Sequence, residues 1–379
     1  MKRLSILLSS LVLVLLALEA WARVDLGEGF VQGAWVGPPQ AICGRFDAQL
    51  GWANREGARA RIAGRGGRYT VTIDSRGRRG PEREYAKPAG VVRVLLLGDS
   101  TGWGWGVNDD EAFARLVEAR LGPGVELINL SVPGYSTDQE LLALEQEGAR
   151  YAPDLVLLAL VHNDLVANNF DFFQMPKPFF ELGPDGALVL TNVPLPPPDP
   201  DSYLAASYAL RRASEFSALV KRLLPPPPAY QRPDLDAPDV RAAIDRYWDH
   251  LADPGSRSSR LLQALKARCD ALGAPLVAFV LPHLHDRYLY DPCTPPPAEL
   301  EQVLAREPAR TVLTHGSRRL QEVGARLGFA TFSVDRALLD VVRQGVNLDC
   351  GDEHLNARGN QVVALQVAAS LRAPLAALR

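Results

Sequence analysis

No strong excess of either charge marks this chain: 41 Lys and Arg stand against 44 Asp and Glu, a formal net charge of −3 over 379 residues. That balance gives no global pull toward nucleic acid or an acidic membrane surface. The Arg-rich stretches 59–68 and 76–83 lack interleaved aromatic residues and read as solvated surface. Cysteine is scarce. The four, at 43, 269, 293 and 350, fall at no spacing that holds zinc. They suit an exported protein with room for one disulfide. Cys293 and Cys350 lie in loop-like stretches and form the candidate pair, while Cys269 sits in a helical pattern and reads as a core thiol. No internal repeat is present, which argues against a solenoid or propeller.

Long apolar runs are also missing, except at the start. Lys2-Arg3 precede the run Leu4–Leu18, broken only by serines, and Ala20-Trp21-Ala22 then offers a small-x-small cleavage pattern. That is the layout of a secretory signal. The run falls short of the about 20 apolar residues that a spanning helix needs. Extended to Ala22, with Trp21 and Arg23 at the interface, it fits an uncleaved anchor equally well. Either reading of residues 1–23 exports the rest of the chain to the periplasmic or extracytoplasmic side of a membrane.

What is present is organised around Val91–Val107, VVRVLLLGDSTGWGWGV. Val at 91, 92 and 94 and Leu at 95–97 read as a strand buried on both faces, as inside a parallel sheet. The strand stops at Gly98-Asp99-Ser100. A serine at the carboxyl end of a central strand sits where open α/β sheets put their ligands.

Before it, residues 24–90 form an irregular lead-in with a short β pattern at Tyr69–Ile73 and a turn at Ser75–Gly77. After it, the alternation becomes regular. Asp109-Asp110-Glu111 opens a helix, with the acids at the positive end of its dipole. Val125–Leu130 is a second strand. Thr137 caps a helix through Tyr151, with Glu140 as the capping-box partner. Asp154–Val161 is a third strand. An insertion at about 165–260 follows, with a hairpin pattern over Phe179–Val193, a helical pattern over Tyr203–Leu224 and a stiff Pro225–Pro228 segment. The rhythm resumes with helices near Ser259–Leu272 and Arg318–Leu327, strands at Pro275–Leu281 and Phe329–Val334, and a last helix over Ala357–Leu371. The expected architecture is one α/β domain over 91–379, with about five parallel strands and helices on both faces.

A serine hydroxyl becomes a nucleophile only with a base in reach, a group that orients the base, and donors for the oxyanion. His354 lies in a loop just before the last helix, and Asp352 stands two residues earlier to hold its Nδ1 proton. A surface histidine in an acidic loop is the plain alternative. Gly134, after the second strand, offers a backbone N–H. Asn163, after the third, offers a side-chain amide.

Gly98-Asp99-Ser100, Gly134 in VPGYS, Asn163 in HND, and Asp352 with His354 match in order the four blocks of the SGNH (GDSL-type) hydrolases. The chain resembles that family from about 91 to 371, outside the insertion. NLSVPGYSTDQ and APDLVLLALVHND are similar to exported bacterial members with an N-terminal hydrophobic segment. The resemblance implies a three-layer α/β/α sandwich of the flavodoxin-like kind. It makes Ser100 the nucleophile, His354 the base and Asp352 its orienter, with the Ser100 and Gly134 N–H groups and Asn163 Nδ2 as the oxyanion hole. It implies an esterase of small-molecule or glycan esters that uses no cofactor. Two departures stand out. Gly351 occupies the place, three residues before the histidine, where many members carry the aspartate. His162 replaces a small residue. The spacing of Asp352 is similar to that of polysaccharide O-acetyltransferases, so acyl transfer to a sugar hydroxyl is the second expectation.

Other readings fit less of the chain. Gly98–Gly102 also satisfies the G-x-S-x-G pattern of α/β-hydrolases, but that fold needs several strands before the serine. Gly102, Gly104 and Gly106 suggest a phosphate loop, but no Lys-Ser/Thr follows. Trp103 and Trp105 read as core or pocket walls instead. His283, His285 and Asp286 lack a third metal ligand at matching spacing. An anchored glycan-binding protein without catalysis is the reading of a different class.

Overall fold

The apolar run at the centre of the chain becomes a strand, β1 (Val92–Gly98), with every residue buried. A run with no polar face has to sit inside a sheet covered on both sides. The computed structural model describes residues 14, 34–35, 44–64, 67–173, 175–197, 238–281, 314–342, 344–348, 350 and 354–378. Four more strands join β1 in one parallel sheet: β2 (Val125–Asn129), β3 (Leu155–Leu160), β4 (Leu276–Val280) and β5 (Ala330–Thr331). The order is β5-β4-β3-β1-β2. This is the flavodoxin-like order, and its direction of winding reverses between β1 and β3.

Among the described residues the helices are α1 (Ser100–Trp103), α2 (Phe113–Leu121), α3 (Thr137–Gln146), α4 (His162–Ala167), α5 (Pro238–Ala252), α6 (Arg257–Ala271), α7 (His315–Leu327), α8 (Asp335–Val342) and α9 (Ala357–Ala376). Alternation along the strands divides the core in two. Val94 and Leu96 of β1 face Phe113 and Val117 of α2, Leu338 of α8, and Val363 and Val367 of α9. Leu95 and Leu97 face Leu141 and Leu144 of α3, Leu262 and Leu265 of α6, and Val323 of α7. The sheet is the middle layer of three.

The described residues of the lead-in, 34–35, 44–64 and 67–90, include paired strands, although its sequence reads as irregular. Gly44–Asp47 pairs with Gly51–Asn54, and Arg59–Gly64 with Gly67–Thr72, which Ala34–Trp35 extends through a parallel pairing to the former strand. Ile62, Tyr69, Val71 and Ile73 close over Trp103 in a small core of their own. The two arginine clusters part company. Arg59, Arg61 and Arg68 are exposed, as expected of solvated surface. Arg78 and Arg79 are buried, because Glu147 and Asp109 meet them as ion-pair partners.

Two helix starts also shift. Asp109 accepts Thr72 N–H at 3.2 Å and Arg79 Nε at 3.0 Å, and Glu111 folds back on Asn108 N–H at 2.9 Å. The acids are thus engaged elsewhere, and α2 begins only at Phe113. Helix α3 is capped by Ser136 in a box with Gln139, one residue earlier than the Thr137–Glu140 pattern suggests. It ends at Gln146, and a 3-10 turn completes the run to Tyr151. Glu140 is turned inward and buried.

The hairpin of the insertion is present: Phe179–Leu182 pairs with Leu188–Thr191, turning through Gly183–Gly186. The covering layer resumes at α5, earlier than 260, and buries Trp248 and Leu251. Cys269 is a buried core thiol, pushed by that burial up to about 12. The patterns at 203–224 and 225–228, the cysteines at 43 and 293, and His283, His285 and Asp286 lie outside the described residues. So do residues 1–23 apart from Val14. Among the described residues, no helix is long and apolar enough to cross a membrane.

Candidate active site

Ser100 is the first residue of α1, directly beyond β1. Asp99 caps this turn, its Oδ1 accepting Thr101 N–H at 2.8 Å. The Ser100 N–H stands at the start of the turn, where a helix supplies no internal acceptor. His354 arrives from the other end of the chain. Its loop is pinned by Cys350 N–H to His354 O at 2.8 Å and Asn356 N–H to Leu348 O at 2.8 Å. Asn356 then caps α9 through Gly359 N–H at 3.0 Å. So held, His354 Nε2 lies 2.8 Å from Ser100 Oγ.

The sheet register sets the neighbours. Gly98 pairs with Ala159, so the turns after β1 and β3 emerge side by side at the winding reversal. Asn163, second in α4, donates through Nδ2 to Asp99 Oδ2 at 3.0 Å, and Ser100 Oγ lies 3.1 Å from the same oxygen. On the other side of β1, Val132 N–H reaches Gly98 O at 3.2 Å and brings in the loop after β2. Gly134 has φ +82° there, the left-handed region that glycine enters without strain. The lead-in brackets this glycine: Trp52 Nε1 donates to Pro133 O at 2.9 Å, and Tyr135 Oη donates to Trp52 O at 2.7 Å. Ser100, His354 and Asn163 thus meet, with Gly134 in the adjoining turn. Asp352 lies outside the described residues.

Behind the site is a buried acidic group. Asp99, Asp138, Glu140 and Asp164 are all closed off from solvent. Asp164 Oδ2 accepts Val161 N–H at 2.8 Å. Its Oδ1 and both Glu140 oxygens have no hydrogen-bond partner among the described residues. Burial holds Glu140 well above the usual carboxylate range, and the charges of Asp99 and Asp138 add to it. Burial also raises Asp164, with Glu140 and Asp99 adding, against the lowering by Val161 N–H. Lys177 reaches in from the insertion to pair with Asp138, fully buried. Burial lowers the Lys177 amine, and Asp138 opposes that shift. The region can therefore keep Glu140 and Asp164 neutral beneath Asp99.

The motif blocks led to Ser100, Asn163 and His354 but assigned nothing to Asp99, although it is the middle residue of Gly98-Asp99-Ser100. Glu140 carried a signal that pointed elsewhere, to a helix cap. Of the tryptophan pair, Trp103 is fully buried and Trp105 stacks on His354, ring centroids 4.9 Å apart at 17°.

A family model for the GDSL-like Lipase/Acylhydrolase family matches residues 96–362. The chain belongs to that family. As a GDSL-like acylhydrolase it is an ester-bond hydrolase. No curated protein matches it. Among solved structures it is similar to an aryl esterase of M. smegmatis, at 13% identity over 75% of this chain and 99% of that one, TM-score 0.36. It is also similar to a carbohydrate acetylesterase from Sinorhizobium meliloti, at 13% identity over 74% and 99%, TM-score 0.34. An acetyl-xylooligosaccharide esterase from Geobacillus matches at 11% identity over 74% and 94%, TM-score 0.40.

Proposed function

We propose that this GDSL-like hydrolase cleaves esters through an acyl-enzyme on Ser100. The observation that carries the reading is the 2.8 Å approach of His354 Nε2 to Ser100 Oγ. Ser100 Oγ attacks the ester carbonyl carbon and passes its proton to His354 Nε2. The oxyanion that forms is met by the N–H groups of Ser100 and Gly134 and by Asn163. An asparagine amide carries two N–H bonds. One goes to Asp99, and the other remains for the oxyanion. Collapse expels the alcohol, which takes the proton from His354. Water then attacks the acyl group, giving up a proton to His354, which passes it to Ser100 Oγ as the acid leaves. Asp352 is the proposed partner of His354 Nδ1. The substrate is a small-molecule or glycan ester, and the Leu4–Ala22 run supports action outside the cytoplasm.

Turnover of p-nitrophenyl acetate tests this. Release of p-nitrophenol should continue past one equivalent and vanish in Ser100→Ala. Equal slow release by both proteins would overturn the reading. With a polysaccharide acceptor present, acetate should still appear free in solution; acetyl accumulating on the sugar instead would make the enzyme a transferase.

A further inference from the structure

The segment Gly104-Trp105-Gly106 directly follows the turn that carries Ser100. Both glycines take left-handed φ values, +94° and +82°. Neither has room for a side chain: a Cβ at Gly104 would lie 2.7 Å from Ala112 Cβ, and one at Gly106 would lie 2.6 Å from Cys350 Sγ. The only side chain this tight turn presents is therefore the indole of Trp105. It lies nearly parallel to the His354 imidazole, 4.9 Å between centroids and 17° between planes.

The turn is held from two directions. Trp105 N–H and Gly104 N–H both donate to Ser100 O, at 3.0 and 3.1 Å, tying the indole to the nucleophile's own backbone. From the lead-in, buried Arg79 donates to the carbonyls of Trp103 at 3.2 Å, Gly104, and Val107 at 2.7 Å. Its guanidinium covers the Trp103 ring at 4.6 Å, and Asp109 accepts its Nε at 3.0 Å. The histidine loop closes on the same turn through Cys350 Sγ, 3.8 Å from Gly106 O.

A histidine held in the plane of its ring, by its serine at Nε2 and by the proposed Asp352 at Nδ1, can still tilt about the line joining those contacts. A flat stack removes that freedom, and the electron-rich face of an indole favours the imidazolium formed during attack. We propose that Trp105 is a positioning residue: its stacked ring holds the His354 imidazole with Nε2 aimed at Ser100 Oγ, and Arg79 of the lead-in holds the turn that carries it. This rests on the reading of His354 as the base.

The test is steady-state kinetics on p-nitrophenyl acetate with the full chain, comparing Trp105→Ala, Trp105→Phe and His354→Ala, each checked for its thermal midpoint. Misplacing a reacting group by about 1 Å can cost roughly 100-fold. Trp105→Ala should lower kcat by about 10- to 100-fold with KM within about threefold. Trp105→Phe, which still offers a flat ring, should recover most of kcat. A Trp105→Ala protein with kcat near the original, or a Phe variant no better than the Ala variant, would overturn the proposal. Inactive His354→Ala together with active Trp105→Ala overturns the proposal alone. Active His354→Ala overturns the base assignment and the proposal with it.

Discussion

Asp99 Oδ2 lies 3.0 Å from Asn163 Nδ2 and 3.1 Å from Ser100 Oγ. One buried carboxylate thus touches both Ser100 and Asn163. If that amide serves the hole, Asn163→Ala should lower kcat by on the order of 10²-fold with little change in KM. Steady-state kinetics on p-nitrophenyl acetate read this directly. A change below about threefold would remove Asn163 from the hole.

Glu140 should tie stability to pH. Burial raises its pKa above the ordinary 4.5. Between those values the folded protein keeps a proton that the unfolded chain releases, so stability falls as pH rises. Glu140→Gln cannot ionise and escapes this loss. Its stability relative to the native protein should therefore climb with pH from about 5 upward, by at most about 1.4 kcal/mol per pH unit for one proton. Urea unfolding at a series of pH values measures the slope. A difference that stays constant would show that Glu140 ionises as freely in the folded protein as in the unfolded chain.

Lys177 and Asp138 form an ion pair with neither side chain exposed. Removing one charge strands the other in the core, at a cost of about 3–5 kcal/mol. Lys177→Met should lose stability on that scale, and adding Asp138→Asn should restore part of it. Denaturant midpoints of the two variants decide the matter. A double variant less stable than Lys177→Met would mean that Asp138 is not left uncompensated when Lys177 is gone.

The reach of the sequence ended where partners are distant. The sheet was legible because each strand is a local apolar run, and Ser100, Gly134 and Asn163 were legible because they follow strand ends. His354 stood out by its place in a loop just before the last helix, and the order of the motif blocks tied it to Ser100. Arg79 was not legible as a buried group, since its partner Asp109 is 30 residues away. Arg78 reads the same way, with Glu147 69 residues distant. Glu140 failed for another reason. Ser136 with Gln139 and Thr137 with Glu140 satisfy one capping spacing equally well, and only the packing of α3 on the sheet decides which pair faces out. In the lead-in only the β pattern at Tyr69–Ile73 and the turn after it were legible, because the other strands are short and rich in Gly and Arg. Its contribution through Trp52 lies in contacts to the loop at Pro133 and Tyr135.

The most direct measurement is covalent labelling with an organophosphonate, followed by mass mapping of the modified peptide and by rates for the native protein and His354→Ala. A single adduct on Ser100 is expected, forming at least about 10²-fold more slowly once the base is removed. An adduct on any other residue, or an unchanged rate in His354→Ala, would contradict the pairing of these two side chains as nucleophile and base.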